Sequence, residues 1–231
     1  MFDIIAFDAD DTLWHNESLF SLTHEKFRNL LMPYHDAAWI DQKLLETERR
    51  NLSIFGYGIK GFALSMIETA IELTEGRISG DEIQHILDAA KGMMDAPVVP
   101  LDHVIETLKT LSVDRELMII TKGDLFDQES KIARSGLDAY FTKVEIVSEK
   151  NEAVYRDLMN RHQLDPSRVM MVGNSLKSDI LPMVGLGATC VHIPYHTTWI
   201  HEAVDPETAA AHDYHELTSM ADLPALVNRL S

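Results

Sequence analysis

Asp8, Asp10 and Asp11, with Thr12 next in line, directly follow the apolar run Ile4-Ile5-Ala6-Phe7. Four consecutive apolar residues, two of them β-branched, predict a buried strand. Asp8 is therefore expected at the carboxyl edge of a parallel sheet, where open α/β folds bind their ligands. Like charges two residues apart repel unless a cation sits between them, and a hard divalent ion such as Mg2+ takes oxygen ligands. The spacing points to a metal; an acidic turn or helix N-cap is the competing reading of a lone D-x-D.

Three further apolar runs end in polar residues of complementary chemistry. Glu116–Ile120 leads into Thr121-Lys122-Gly123-Asp124. A hydroxyl at a strand end, followed by a glycine that permits close backbone approach, can hold a phosphate oxygen, which makes Thr121, Lys122 and Gly123 candidates for substrate binding. Val144–Val147 leads to Ser148-Glu149-Lys150, and Lys150 would bring a point charge to the same edge. Val169–Val172 leads to Gly173-Asn174-Ser175-Leu176-Lys177-Ser178-Asp179, adding an amide and another carboxylate.

These four segments, in this order, resemble the haloacid dehalogenase (HAD) superfamily of aspartate-nucleophile hydrolases. Its D-x-D-x-T start matches Asp8, Asp10 and Thr12; its second-motif Thr matches Thr121; its third-motif Lys best matches Lys150; and its acidic fourth motif appears as Gly173-Asn174 with Asp179. The resemblance spans nearly the whole chain and rests on four motifs at four successive strand ends. It implies an α/β Rossmannoid parallel-sheet core of residues 1–14 and 99–231, with a helical cap domain of residues 15–98 inserted after the first strand and closing over the site. It also implies a Mg2+-dependent phosphatase acting on a small phosphorylated metabolite. Asp8 would be the nucleophile, Asp10 the general acid and then base, and Thr121 and Lys150 the rest of the phosphate cradle. Thr12 would order the loop, and Asp11 would face solvent or a helix end. The metal would lie among the Asp8 carboxylate, the Asp10 carbonyl, Asn174 and Asp179.

Two residues discriminate within the superfamily. The dehalogenase branch carries an aromatic residue where this chain has Asp10, so an acid/base for an alcohol leaving group is retained and a phosphatase is favoured. Asn174 replaces the usual first acid of the fourth motif; an amide oxygen still ligates a hard cation but brings no charge, leaving Asp179 as the expected acidic ligand. Transfer of the phosphoryl group to a second alcohol, as in a phosphotransferase or mutase, and a catalytically weak phosphate-binding regulatory protein are the alternatives, the latter supported by Asn174.

The elements that must position these groups are legible as well. About a hundred residues separate the first motif from the second strand, too many for an ordinary connection. They read as four amphipathic helices near 17–32, 36–52, 59–75 and 80–94, with a capping box at Ser79-Gly80-Asp81-Glu82 and a return hinge at Ala96–Pro100. Gly56–Gly61 fits neither a P-loop nor a dinucleotide fingerprint and reads as an interhelical loop. His192–Trp199, after the last core strand, reads as a packed connector at the rim of the site.

Composition narrows the partners. The chain has 231 residues, 45% of them apolar, enough for one α/β core with a smaller attached domain. Its 20 basic against 37 acidic side chains give −17, a surface that repels polyanions, so nucleic acid is not expected. No apolar run is long enough to span a membrane and no signal-peptide pattern opens the chain, so a cytoplasmic monomer or homodimer is expected. The single cysteine, Cys190, reads as a buried filler that excludes an intramolecular disulfide, and the eleven histidines show no metal spacing.

Overall fold

The computed structural model describes residues 2–197, 202 and 204–231. The chain falls into two compact units. One comprises Met1–Glu17, Val98–Lys122 and Gln128–Ser231; the other comprises Ser18–Pro97 and Gly123–Asp127.

The first unit is built on a six-stranded parallel sheet: β1 (Ile4–Phe7), β2 (Glu116–Lys122), β3 (Lys143–Val147), β4 (Val169–Gly173), β5 (Thr189–His192) and β6 (His215–Glu216), in the spatial order 3-2-1-4-5-6. The chain reverses its direction of strand addition at β1, so the carboxyl ends of β1, β2 and β4 flank the switch point where such folds bind ligands. Each central strand is buried on both faces, and its residues alternate between two apolar layers. Ile5, Phe7, Leu117, Ile119, Met170, Val172 and Val191 face one layer; Ile4, Ala6, Met118, Ile120, Val169, Met171 and Cys190 face the other. Full burial of such a side chain contributes roughly 1.5–3 kcal/mol, and a register slip of one residue would exchange the two faces.

Helices cover both layers. Val104, Leu108 and Leu111 of α5 (Val104–Leu111) and Leu223, Leu226 and Val227 of α10 (Leu223–Leu230) pack on the first layer. Tyr155, Leu158 and Met159 of α7 (Glu152–His162) and Met183 of α8 (Leu181–Gly185) pack on the second. The remaining helices are α6 (Leu125–Ser135) and α9 (Pro206–Ala210). Cys190 is buried as a free thiol, as expected of a small filler.

The second unit holds α1 (Glu17–Leu31), α2 (Ala37–Phe55), α3 (Ile59–Leu73) and α4 (Gly80–Asp95), within a few residues of the sequence expectation. Their apolar stripes meet around Phe27, Leu31, Ile40, Leu44, Phe62, Met66, Ala70 and Ile86. The Ser79–Glu82 capping box forms with both reciprocal bonds, and Asp36 caps α2 through the Trp39 N–H at 3.0 Å. The Gly56–Gly61 stretch is the α2–α3 connection and the start of α3. Gly123–Asp127 groups with these helices because Asp124 pairs with Lys60 at 2.8 Å and backs against Gly58. Among the described residues, no helix is long and apolar enough to cross a membrane.

Candidate active site

Parallel pairing sets the first step of the geometry. Phe7 is in register with both Ile119 and Val172, and the Asp8 N–H donates to the Val172 carbonyl at 2.9 Å, so Asp8 leaves the sheet between β2 and β4. Its carboxylate is buried. Oδ2 accepts from the Thr12 hydroxyl at 2.9 Å, and Oδ1 accepts from Lys150 Nζ at 2.5 Å. The same ammonium donates to Asp179 Oδ1 at 2.7 Å. Two carboxylates thus share one buried cation. Burial, followed by the charge of Asp179, pushes the Asp8 carboxyl up to about 7 despite the opposing pull of Lys150. Burial works against the lysine's charge too, but Asp179 and Asp8 outweigh it and hold the ammonium well above its usual range.

Asp179 owes its position to a wide turn. Ile180 and Leu181 donate to the carbonyls five residues back, Ser175 and Leu176, forming a π turn at the end of β4. Asp179 Oδ2 accepts from the Ser175 N–H at 3.0 Å. A Cβ at Gly173 would lie 2.3 Å from that oxygen, so only glycine admits the carboxylate here. Asp179, expected as a metal ligand, has one oxygen on Lys150 and the other on a backbone N–H.

Asn174 stands where three oxygens converge. With its carboxamide oxygen turned to the site, that atom lies 3.2 Å from Asp8 Oδ2 and 3.3 Å from the Asp10 carbonyl. It also lies 3.1 Å from Thr12 Oγ1, whose single proton can serve Asp8 or Asn174 but not both. Rotation of the amide relieves the mismatch by directing NH2 at all three acceptors. A hard cation relieves it equally, since octahedral Mg2+ with ligands at about 2.0–2.1 Å sets adjacent oxygens roughly 3 Å apart. The oxygens of Asp8, Asp10 and Asn174 therefore fit such an ion. Among the described residues, no group of three or more His, Cys, Asp or Glu side chains is arranged to hold a metal.

The Asp10 side chain faces different partners from its carbonyl. Lys131 Nζ donates to both carboxylate oxygens, at 2.8 and 2.7 Å, Trp14 Nε1 to Oδ1 at 2.8 Å, and Gln128 Nε2 to Oδ2 at 2.8 Å. Burial pushes this carboxyl up, but Lys131, with Gln128 and Trp14, outweighs it and holds Asp10 below the usual carboxylate range. Lys131 and Gln128 went unnoticed in the sequence. The available signal was their i, i+3 spacing on the helix that follows the Thr121 motif.

Of the remaining candidates, Thr121 is buried with its hydroxyl unpartnered among the described residues, a donor held ready for an acceptor. Lys122, expected to bind substrate, donates to Glu202 at 2.7 Å and to Ser178 at 3.0 Å. Gly123 takes φ 145°, a backbone only glycine adopts readily, and belongs to the segment grouped with the helical unit. Asp11 settles at a helix end rather than in solvent: its buried carboxylate accepts from the Asn16 and Glu17 N–H groups at 2.8 and 3.0 Å. His192 is buried, with Nε2 3.1 Å from the Asn174 carbonyl and Nδ1 3.2 Å from Glu216. Thr198 and Trp199, the end of the expected rim connector, lie outside the described residues.

The chain is similar to known proteins in sequence and in fold. A family model for haloacid dehalogenase-like hydrolases matches residues 2–187. A haloacid dehalogenase-like family hydrolase from Xanthomonas campestris, known from its crystal structure, is 38% identical, covers 99% of this chain and 91% of its own, and superposes with a TM-score of 0.88. The pyrimidine 5'-nucleotidase YjjG of Escherichia coli (strain K12) is 23% identical over 235 residues, 94% of this chain and 97% of that protein. At the level of fold alone, L-2-haloacid dehalogenase from Xanthobacter autotrophicus is similar, with a TM-score of 0.67, 18% identity and complete coverage of both chains.

Proposed function

Because the chain belongs to the haloacid dehalogenase-like hydrolase family, we propose that it is a Mg2+-dependent phosphatase that hydrolyses a small phosphomonoester through a phosphorylated Asp8. The observation that carries this reading is the convergence of the Asp8 carboxylate, the Asp10 carbonyl and the Asn174 amide oxygen beside a second carboxyl, that of Asp10. A dehalogenase has no need of that second acid.

In the proposed reaction an Asp8 oxygen attacks phosphorus in line, the bond from phosphorus to the ester oxygen breaks, and Asp10 delivers a proton to the departing alcohol. Asp10 then takes a proton from water as that water attacks the phosphoaspartate, which releases phosphate and restores Asp8. Lys150 and the unpartnered Thr121 hydroxyl supply positive charge and a hydrogen bond to the phosphoryl oxygens. The bound Mg2+ would neutralise the charge that nucleophile and phosphate bring together. The helical unit is assigned the choice of substrate, and the net charge of −17 argues for a small partner rather than a nucleic acid. A cytoplasmic location is proposed with it. The likeness to a pyrimidine nucleotidase puts nucleoside 5'-monophosphates among the first compounds to try.

A phosphate-release screen over phosphorylated metabolites, with Mg2+ and with EDTA, tests the reading. Turnover that needs both Mg2+ and Asp8 is the expected result; phosphate release undiminished by EDTA would overturn the metal-dependent scheme. The rotated Asn174 amide, whose NH2 donates to these oxygens with no cation needed, favours one other reading, a phosphate-binding protein without turnover. Phosphate binding with no release from any compound would support it.

A further inference from the structure

Both oxygens of the Asp10 carboxylate are saturated. Trp14 and Lys131 occupy Oδ1, while Gln128 and Lys131 occupy Oδ2, a full complement for an ionised carboxylate. The donors are themselves held in place. Trp14 is fully buried and its carbonyl accepts from the Asp11 N–H at 2.8 Å; Gln128 also donates to the Lys122 carbonyl at 3.2 Å; Lys131 reaches Asn16 Oδ1 at 3.3 Å. Gln128 and Lys131 lie one helical turn apart on α6, so a single helix face presents an amide and an ammonium to one side chain. An ion pair kept only for stability needs neither bidentate contact nor two further donors aimed at the same group. Four hydrogen bonds from three side chains fix both torsions of Asp10 and leave its carboxylate one orientation. Because a carboxylate so filled carries no proton, one of these donors must yield its place when Asp10 takes up the proton it delivers in the proposed reaction.

We infer that Lys131, backed by Gln128 and Trp14, is the positioning residue for Asp10: it fixes where the acid/base oxygen meets the leaving group and thereby controls the chemical step rather than substrate binding. The inference rests on the phosphatase reading for its kinetic consequence, but not for the clamp itself. A misplacement of about 1 Å in a reacting group can cost about 10²-fold in rate. Lys131→Met should therefore lower kcat by about that order with KM retained. Lys131→Arg, which keeps the charge and a bidentate fork, should recover part of the loss. Gln128→Leu should show a smaller fall of the same kind.

The experiment pairs these kinetics with a readout that needs no turnover. Trp14 is one of three tryptophans, and its indole N–H donates to Asp10. The 1H–15N indole resonance, assigned by its disappearance in Trp14→Phe, reports the orientation of that carboxylate. Lys131→Met and Gln128→Leu should each move it, with the rest of the spectrum retained. An unmoved indole resonance in folded Lys131→Met overturns the clamp whether or not a substrate is known. If wild type turns over a substrate, full kcat in that variant, or a loss confined to KM, overturns the positioning role. If wild type turns over nothing, the phosphatase reading fails separately, and the resonance alone decides the clamp.

Discussion

Lys150 and Asp179 form a buried ion pair in which Nζ lies 2.7 Å from Oδ1 and each side chain is 1% exposed, and Asp8 shares the same ammonium at 2.5 Å. Removing the lysine leaves two carboxylates facing each other without a cation. Lys150→Met should therefore destabilise the metal-free protein at neutral pH by about 3–5 kcal/mol, the cost of an uncompensated buried charge. Much of that loss should return at acid pH as the pair protonates. Chemical denaturation at pH 5 and pH 7.5 checks this; an equal loss at both pH values would contradict the shared-cation account.

The same cluster sets a pH dependence in the wild-type chain. Burial and Asp179 raise the Asp8 carboxyl from 3.8 to about 7, and burial raises that of Asp11 from 3.8 to about 7. A group whose folded value lies above its unfolded one binds more protons when folded. Its stabilisation is complete below the unfolded value and is lost as pH rises through the folded one. In the absence of divalent cations, the contributions of Asp8 and Asp11 should decline between about pH 4 and pH 7. Carboxyl 13C titration should place both midpoints well above that of Asp10, which Lys131 and its companions hold low. Added Mg2+ should lower the Asp8 midpoint, and an Asp8 midpoint near the ordinary value in metal-free protein would contradict the prediction.

Substitution separates the two acids of the first motif. Asp8→Asn should abolish turnover, because an amide is a poor nucleophile. Asp10→Asn should lower the rate by about 10²- to 10⁴-fold, the usual contribution of a general acid–base group. Both variants should remain folded by circular dichroism. Full phosphatase activity in folded Asp8→Asn would eliminate covalent catalysis.

Asn174 offers a test of the oxygen set. Asn174→Asp puts a carboxylate 3.2–3.3 Å from Asp8 Oδ2 and the Asp10 carbonyl. Mg2+ should bind more tightly, by calorimetry and by half-saturation of activity, while kcat need not rise because added negative charge beside the phosphate slows attack. Asp179→Asn should act through Lys150 instead, altering the Asp8 titration more than the Mg2+ affinity. Unchanged Mg2+ affinity in Asn174→Asp would remove Asn174 from the ligand set.

What the chain alone determined follows from short-range physics. The apolar runs ending at Phe7, Ile120 and Val172 marked strands buried on both faces, the run ending at Val147 marked what proves a partly exposed edge strand, and the residues just beyond them had to fall at one sheet edge. The helices of the second unit were legible from 3.6-residue periodicity and from the capping box at Ser79, since both are local. The two-residue strand His215–Glu216 escaped notice because so short an element carries no period. Only tertiary structure decided which polar side chains meet. Lys131 reaches Asp10 across 121 positions, and Lys122 turns to Glu202 across 80. The i, i+3 spacing of Gln128 and Lys131 puts them on one helix face but does not say which side chain they meet, because sheet register and the rotation of each helix about its axis choose the partner. The same causes brought Asp179 to Lys150: its place depends on a π turn and on the missing side chain of Gly173, a fit between backbones that no pattern of residue types announces.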